Sequence, residues 1–301
     1  MVRGRPKRVW IVVTGAKKRI LMKRIVVTGA KGGTGPSLIA VLREYGYEVV
    51  GVDLHPWTDE DGLDYVQLDL RDAAGVNDVF ANADGVVHFG SPPGDAWLSA
   101  TEAFHQIASA GFNVFQAASN VGVKRIAWAS SIETYGNFKD HPLLPATEES
   151  PTAPPGIYGS AKILLERLAA DYCRWSDMSI ASFRLSRVIY DNEVGRAKMR
   201  GLVEDEALGD DCLWSYIDAR DVGSACLAWL ESDHRGAEVF NLAANNVHQE
   251  RASIELLEKY GYAHLDRPKL GSLDQTAFAT DKIRAILGWR EEYDWRDILS
   301  M

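Results

Sequence analysis

The chain is expected to fold as an α/β protein, a doubly wound parallel sheet with a small C-terminal substrate-binding lobe. Three observations predict this. From Lys23 onward, short apolar runs alternate with helical stretches, the pattern of a parallel sheet covered on both faces. A glycine-rich loop from Gly29 to Gly35 joins the first apolar run to the first helix. A length of 301 residues with 46 % hydrophobic content suffices for a full core.

The first segment is unusual. Residues 11–17 read Ile-Val-Val-Thr-Gly-Ala-Lys, and residues 25–31 repeat that heptad unchanged. The first copy continues Lys-Arg-Ile-Leu, whereas the second continues Gly-Gly-Thr-Gly and alone can form a phosphate loop. Met22 stands directly before the good copy, so residues 1–21 are expected to be a dispensable extension. A secretory signal is disfavoured, because the apolar stretch Val9–Val13 is too short for its hydrophobic region.

The strands that follow are expected at Arg24–Thr28, Glu48–Asp53, Tyr65–Leu68, Gly85–Phe89, Arg125–Ala129 and Ile180–Arg187. Helices are expected at Pro36–Tyr45, Trp97–Val121 and Tyr158–Trp175, with Pro36 suited to a first helical turn. Pro142–Pro155 reads as a loop feeding the Tyr158 helix. Residues 22–187 are thus expected to form the main sheet domain. Residues 188–301 form mainly the small lobe, with part of the chain returning to the sheet. There the pattern is irregular, with helices expected at Asp221–Leu230, Ile254–Tyr260 and Thr280–Leu287, and Asp221 as a helix N-cap.

Charge and cysteine usage narrow the function classes. The first 21 residues carry seven basic side chains and no acid, which leaves 26 basic against 42 acidic residues beyond them, a net charge of −16. Such a surface repels nucleic acid and anionic membranes and suits an acidic cytosolic enzyme or a high-salt cytoplasm. Cys173, Cys212 and Cys226 are scattered, with no metal spacing, so a reducing cytoplasm and no metal site are expected. No apolar run approaches the ~20 residues that span a bilayer.

The loop carries the first chemical signal. Glycines let a backbone approach phosphates, and the helix N-terminus behind them offers free N–H groups and about half a positive charge. Gly29, Lys31, Gly32, Gly33, Thr34 and Gly35 are therefore expected to hold the pyrophosphate of a dinucleotide in a Rossmann-type fold. Asp53 ends the next strand, 24 residues after Gly29, where a carboxylate accepts hydrogen bonds from the adenosine ribose. It would repel a 2′-phosphate, so NAD is expected over NADP, with the Lys31 ammonium pulling the other way.

Tyr158-Gly-Ser-Ala-Lys162 places a tyrosine and a lysine on one helical face. A tyrosine with pKa near ~10 is a poor base, but an ammonium about 4 Å away is worth roughly 4 kcal/mol and brings it toward neutrality. Alone this spacing is common on surface helices. Here Thr-Gly-x-x-Gly-x-x-Gly at 28–35, Asp53, Asp69-Leu70, Ser130-Ser131-Ile-Glu-Thr-Tyr135-Gly136 and Tyr158-x-x-x-Lys162 occur in one order. In that order they resemble the extended short-chain dehydrogenases/reductases, the NAD-dependent epimerase/dehydratase family. The run Lys-Ile-Arg-Ala-Ile-Leu-Gly-Trp at 282–289 is similar to that family's C-terminal region, so the resemblance spans residues 23–299.

The resemblance implies roles. Ser131 would hold the substrate oxygen, Tyr158 would be the general base or acid, and Lys162 would tune it and bind the nicotinamide ribose. Asp69 and Leu70 would flank the adenine, and Phe89, Gly90 and Ser91 would line the cofactor, Ser91 also meeting substrate. His88 is expected to be structural. A homodimer through the helices Trp97–Val121 and Tyr158–Trp175 is implied by the same likeness.

Departures from the family bear on the reaction. Dehydratases carry an Asp-Glu pair where this chain has Ile132 and Glu133, so elimination loses its acid. Ile132 and Glu133 are still expected to line the substrate, with a solvated loop position the alternative for Glu133. Nucleotide-sugar epimerases carry an asparagine where Arg187 stands, and an arginine there suits a carboxylate, phosphate or several hydroxyls, or a plain salt bridge. The stretch before Asp218 and Asp221 reads Leu-Gly-Asp-Asp-Cys-Leu-Trp in place of a glycine-rich one. A small pocket follows, and the leading expectation is oxidation of a sugar or related hydroxy compound by hydride transfer to NAD. A nucleotide-sugar epimerase of the UDP-glucose 4-epimerase type is the alternative, and a non-catalytic NAD-binding sensor a third. A chain beginning at Met22 is expected to bind NAD as the full chain does, and loss of NADH fluorescence enhancement on truncation would contradict that.

Overall fold

The computed structural model describes residues 24–56, 62–92, 98–140, 143–264 and 274–300. The expected extension 1–21, its heptad at 11–17 and Met22 lie outside them, as do Trp97 and Pro142. Among the described residues nine strands are present: β1 (Arg24–Thr28), β2 (Glu48–Asp53), β3 (Asp64–Gln67), β4 (Gly85–His88), β5 (Arg125–Ser131), β6 (Ser179–Leu185), β7 (Arg187–Ile189), β8 (Tyr216–Asp218) and β9 (Ala237–Leu242). Seven of them form one sheet in the order β3-β2-β1-β4-β5-β6-β9, and β7 pairs with β8 apart from it. Every pair in the large sheet is parallel. This is the Rossmann-type α/β fold that the alternation predicts.

Parallel strands covered on both faces read as continuous apolar runs. All of β4 is buried, and so is β1 beyond its first residue. One face packs on α1 (Gly35–Glu44) and α7 (Ala219–Glu231), around Leu38, Val222 and Trp229. The other packs on α2 (Ala73–Phe80), α4 (Ala110–Val121) and α5 (Ile157–Trp175), around Phe80, Phe115 and Leu165. The chain leaves β1 in one direction to build β2 and β3 and returns to its other side at β4. That reversal opens a crevice at the carboxyl ends of β1 and β4, where such sheets bind ligands.

Three expectations need correction. The third helix is not uniform: α3 (Ala100–Phe104) runs through one π-helical turn at His105–Ser109 into α4. The run Ile180–Arg187 is two strands. Its last rung with β9 is the Ser186 N–H to the Leu242 carbonyl at 3.0 Å, after which the chain leaves to pair with β8. Asp221 is not a helix cap. Asp218 caps α7, accepting from the Arg220 N–H at 2.8 Å. Asp221 lies buried in the first turn and accepts the N–H groups of Glu292 and Tyr293 at 2.9 and 3.1 Å, which pins the C-terminal segment to the sheet. Burial lifts its pKa to about 8 despite those two donors.

The lobe contains α6 (Glu193–Glu204), α8 (Ser253–Lys259) and α10 (Trp295–Ser300), while α9 (Asp281–Leu287) lies against β9. Its core gathers Tyr135, Phe138, Trp214, Tyr262 and Phe278. The Leu-Gly-Asp-Asp-Cys-Leu-Trp run forms the end of a 3₁₀ helix, Glu206–Cys212, followed by left-handed Leu213 (φ 52°) and Trp214 (φ 56°). Two such non-glycine residues cost about 1–2 kcal/mol each. The fully buried Trp214 ring, its indole N–H on the Glu206 carbonyl at 2.6 Å, offsets that cost.

Candidate active site

The carboxyl end of β1 sets the phosphate loop. Gly29 takes φ 75°, and a Cβ there would stand 2.5 Å from the Phe89 carbonyl, so only glycine passes beneath β4. The loop then spends most of its donors on its own backbone and on β2. Gly32 N–H bonds the Gly29 carbonyl, Gly35 N–H bonds the Gly32 carbonyl, and Ala30 N–H bonds the Val52 carbonyl. Among the described residues, the N–H groups of Gly33 and Thr34 are left without a partner at the start of α1. Two free donors on a positive helix end match one pyrophosphate.

The expected adenosine side lies across β2 and β3. The Asp53 carboxylate accepts from the N–H groups of Lys31 and His55 at 3.0 and 3.1 Å, which fixes it while leaving lone pairs open for ribose hydroxyls. Lys31 sends its ammonium to the Pro56 carbonyl at 2.7 Å. Asp69 is held by the Arg71 fork at 2.7 Å, and Leu70 is buried with its carbonyl on Asn113. Gly90 has no room for a side chain, because a Cβ would stand 2.6 Å from Leu70. The residues present therefore fit a dinucleotide along the crevice.

Ser131 ends β5, and Tyr158 and Lys162 lie one turn apart on α5. The Ser131 hydroxyl accepts the Glu133 N–H at 3.1 Å and lines the same cavity as the Tyr158 phenol. Lys162 is 2 % exposed and donates to the Ser91 hydroxyl and the Ala129 carbonyl, both at 2.8 Å. Its Nζ lies 5.3 Å from the centre of the Tyr158 ring. Beneath them Glu166 takes the Ser130 hydroxyl at 2.6 Å and a forked pair from Arg184 at 2.8 and 3.0 Å, so β5, β6 and α5 are locked together.

These groups open on a cavity of about 730 Å³, within the range of small-molecule sites. Of the residues singled out from sequence, it gathers Thr34, Phe89, Ser91, Ser131, Ile132, Glu133, Tyr158, Lys162 and Arg187. Lys31, Asp53, Asp69 and Leu70 do not line it. Arg187 forms an ion pair with Asp211, so the irregular run supplies its partner, and Glu133 is exposed at the rim. Sequence reasoning missed Ser186, whose buried hydroxyl has no partner among the described residues, and Tyr190, both on the wall. Ser186 stood inside an expected strand and Tyr190 just past it, where no motif marks them.

Electrostatics depart from the simple tyrosine–lysine picture. Burial first, then the Glu133 charge, push the Tyr158 phenol above its usual range. Burial also pulls Lys162 down to about 7, against Glu133 and Glu166. The ammonium lies over the ring, 5.3 Å from its centre, and burial outweighs its attraction. His88 is buried under the loop, with Nδ1 2.7 Å from the Thr28 hydroxyl that also accepts the Gly90 N–H. Burial and then Lys162 hold it down to about 3.

With this geometry in place, comparison with known proteins is informative. The model of the NAD dependent epimerase/dehydratase family matches residues 25–243, so the chain belongs to that family and NAD is its cofactor. UDP-arabinose 4-epimerase 1 of Arabidopsis thaliana is 25 % identical, over 89 % of this chain and 75 % of its own. UDP-glucose 4-epimerase of Corynebacterium glutamicum is 26 % identical, over 92 % of this chain and 94 % of its own. Uronate dehydrogenase of Pseudomonas putida is 30 % identical over 54 % of this chain and 60 % of its own. The solved structure of MoeE5 in complex with UDP-glucuronic acid and NAD shares the fold, with TM-score 0.71, 22 % identity, and 92 % and 96 % of the two chains covered. These relatives favour the epimerase alternative over the dehydrogenase expectation.

His88 gives the site a pH dependence. An unfolded histidine takes a proton near ~6.5, whereas His88 resists it down to about 3. Native stability is therefore full above pH ~6.5 and falls as pH drops through that window, by up to about 1.4 kcal/mol per pH unit from this group. In His88→Asn the melting temperature should decline less steeply between pH 6.5 and 4 than in the wild type, and an unchanged slope would contradict the assignment.

Proposed function

We propose that the chain is an NAD-dependent enzyme that oxidises a sugar carbinol reversibly, and that it acts as a nucleotide-sugar 4-epimerase. The observation that carries this is the convergence of Ser131, Tyr158 and Lys162 on one cavity beside two free loop N–H groups. The full-length likeness to 4-epimerases supports the choice of reaction.

The residues divide the work by chemistry. Ser131 offers a hydroxyl to the substrate oxygen next to the Tyr158 phenol. Tyr158 takes the proton as the carbinol becomes a carbonyl and gives it back in reverse. Lys162 keeps positive charge beside that phenol and presents donors to a ribose. Bound NAD supplies the hydride acceptor, which an epimerase uses in both directions and a dehydrogenase in one. Arg187, steadied by Asp211, and the unpartnered Ser186 hydroxyl face the substrate's polar groups. The division proposed is that residues 22–187 bind NAD and carry the catalytic groups, while 188–301 mainly shape the substrate lobe, with part of the chain returning to the sheet.

The second reading is net oxidation of a free sugar or uronate. Arg187 in the cavity wall favours it, as does the likeness to the Pseudomonas dehydrogenase. One experiment separates the two. A 4-epimerase converts UDP-sugars without accumulating NADH, whereas a dehydrogenase yields NADH in proportion to substrate. Stoichiometric NADH from uronates, with inert UDP-sugars, would overturn the first reading. In either case Tyr158→Phe should lower turnover at least about a hundredfold. Undiminished activity would sink the mechanism.

A homodimer is proposed as well. Phe104, Phe112 and Leu164 are exposed on α3, α4 and α5, the helices expected to pair. Light scattering should give twice the chain mass for the wild type and less for Phe112→Glu, and a monomeric wild type would contradict the pairing. No described helix is long and apolar enough to cross a membrane. With Cys173, Cys212 and Cys226 all unpaired, a reducing cytoplasm is the compartment proposed.

A further inference from the structure

Gly33 has no side chain, and the ring of Tyr190 stands where one would be. A Cβ built on Gly33 falls 2.1 Å from Tyr190 Cζ, and 2.3 and 2.4 Å from its two Cε atoms. The tip of the ring therefore rests against the loop backbone at contact distance. Tyr190 follows β7, so this contact carries the chain beyond the large sheet onto the phosphate loop.

The tyrosine is placed from behind. Asn192 N–H donates to the Tyr190 carbonyl at 2.9 Å, and the Asn192 side chain caps α6 by accepting the Gly195 N–H at 2.9 Å. A Cβ on Gly195 would lie 1.9 Å from that same carbonyl oxygen, so the first turn of α6 is pressed onto the Tyr190 backbone. The ring also shares the cavity with Tyr158.

The ring fills the side-chain direction of Gly33, next to the N–H groups of Gly33 and Thr34 that have no partner among the described residues. An apolar ring against that backbone excludes water from hydrogen bonds made there, and such bonds are stronger when water is excluded. We propose that Tyr190 is a positioning residue that closes the pyrophosphate subsite from the lobe side and sets how fast the dinucleotide leaves. The inference rests on NAD binding and not on the epimerase reading, so either can fail without the other.

The test measures NADH release from the full chain by stopped-flow fluorescence, with excess NAD as competitor. Tyr190→Ala should release NADH at least about tenfold faster, and Tyr190→Phe should restore slow release because the ring suffices. Gly33→Ala drives a methyl into the ring and should also speed release. In the Tyr190→Ala background that methyl meets no ring, so its added effect should nearly vanish. Release within about twofold of wild type in Tyr190→Ala, slower release in that variant, or two effects that multiply independently would each overturn the proposal. If Tyr190→Ala does not fold, Tyr190→Leu is read in its place by the same criteria.

Discussion

Lys162 places a positive charge where water does not reach, and much of the surrounding architecture follows from keeping it there. A buried ammonium is tolerated only when its donors are met. Ser91 meets one beyond β4 and the Ala129 carbonyl meets another on β5, while the lysine itself rides on α5. Three separate parts of the chain must therefore arrive together. The forked Arg184–Glu166 pair, with Glu166 also holding Ser130, fastens the same helix to β5 and β6 one layer below. Even so, burial brings Lys162 to about 7 and pushes Tyr158 upward. Burial thus opposes ionisation of the phenol and charging of the amine alike. On the proposed reading of Tyr158 as the base, positive charge added beside it by oxidised nicotinamide would favour its ionisation.

The second constraint is the reversal of strand order between β1 and β4. It brings the loop after β1 against the Phe89–Gly90 backbone after β4, which is why Gly29 and Gly90 admit no side chain. Thr28 and His88, the last residues of those strands, are joined side chain to side chain beneath the loop. From the other side the lobe closes the crevice through Tyr190 and presents Arg187 on Asp211. The cavity is accordingly a product of two cores, with Ser131, Tyr158 and Lys162 on the sheet side and Arg187 on the lobe side.

The sheet was legible where the physics is local and repetitive. β1 and β2 were read to the residue, because buried parallel strands show as unbroken apolar runs. The loop and the Tyr158–Lys162 pair were legible because glycines and a helical spacing are constraints a single sequence displays. β9 was not named, since Ala-Glu-Val-Phe-Asn-Leu is short and mixed, and its partner β6 lies some fifty residues away. The π turn at His105–Ser109 leaves no mark in composition. Asp221 looked like a cap because caps are the common use of aspartate near a helix start, and only tertiary structure reveals the distant N–H groups it accepts. Tyr190 and the Arg187–Asp211 pair escaped for the same reason. Lysine four residues after tyrosine points to a lowered phenol pKa, whereas burial, a property of the whole fold, pushes it the other way.

In the proposed mechanism Tyr158 is the base, and positive charge added beside Lys162 favours its ionisation. The most direct test is the tyrosinate absorbance of wild type minus Tyr158→Phe, titrated with pH in the presence of NAD, of NADH and of neither. The account predicts that ionisation of Tyr158 moves to clearly lower pH with NAD than with NADH or without cofactor, and that Lys162→Met weakens the effect. A Tyr158 that ionises at the same pH in all three states would contradict it.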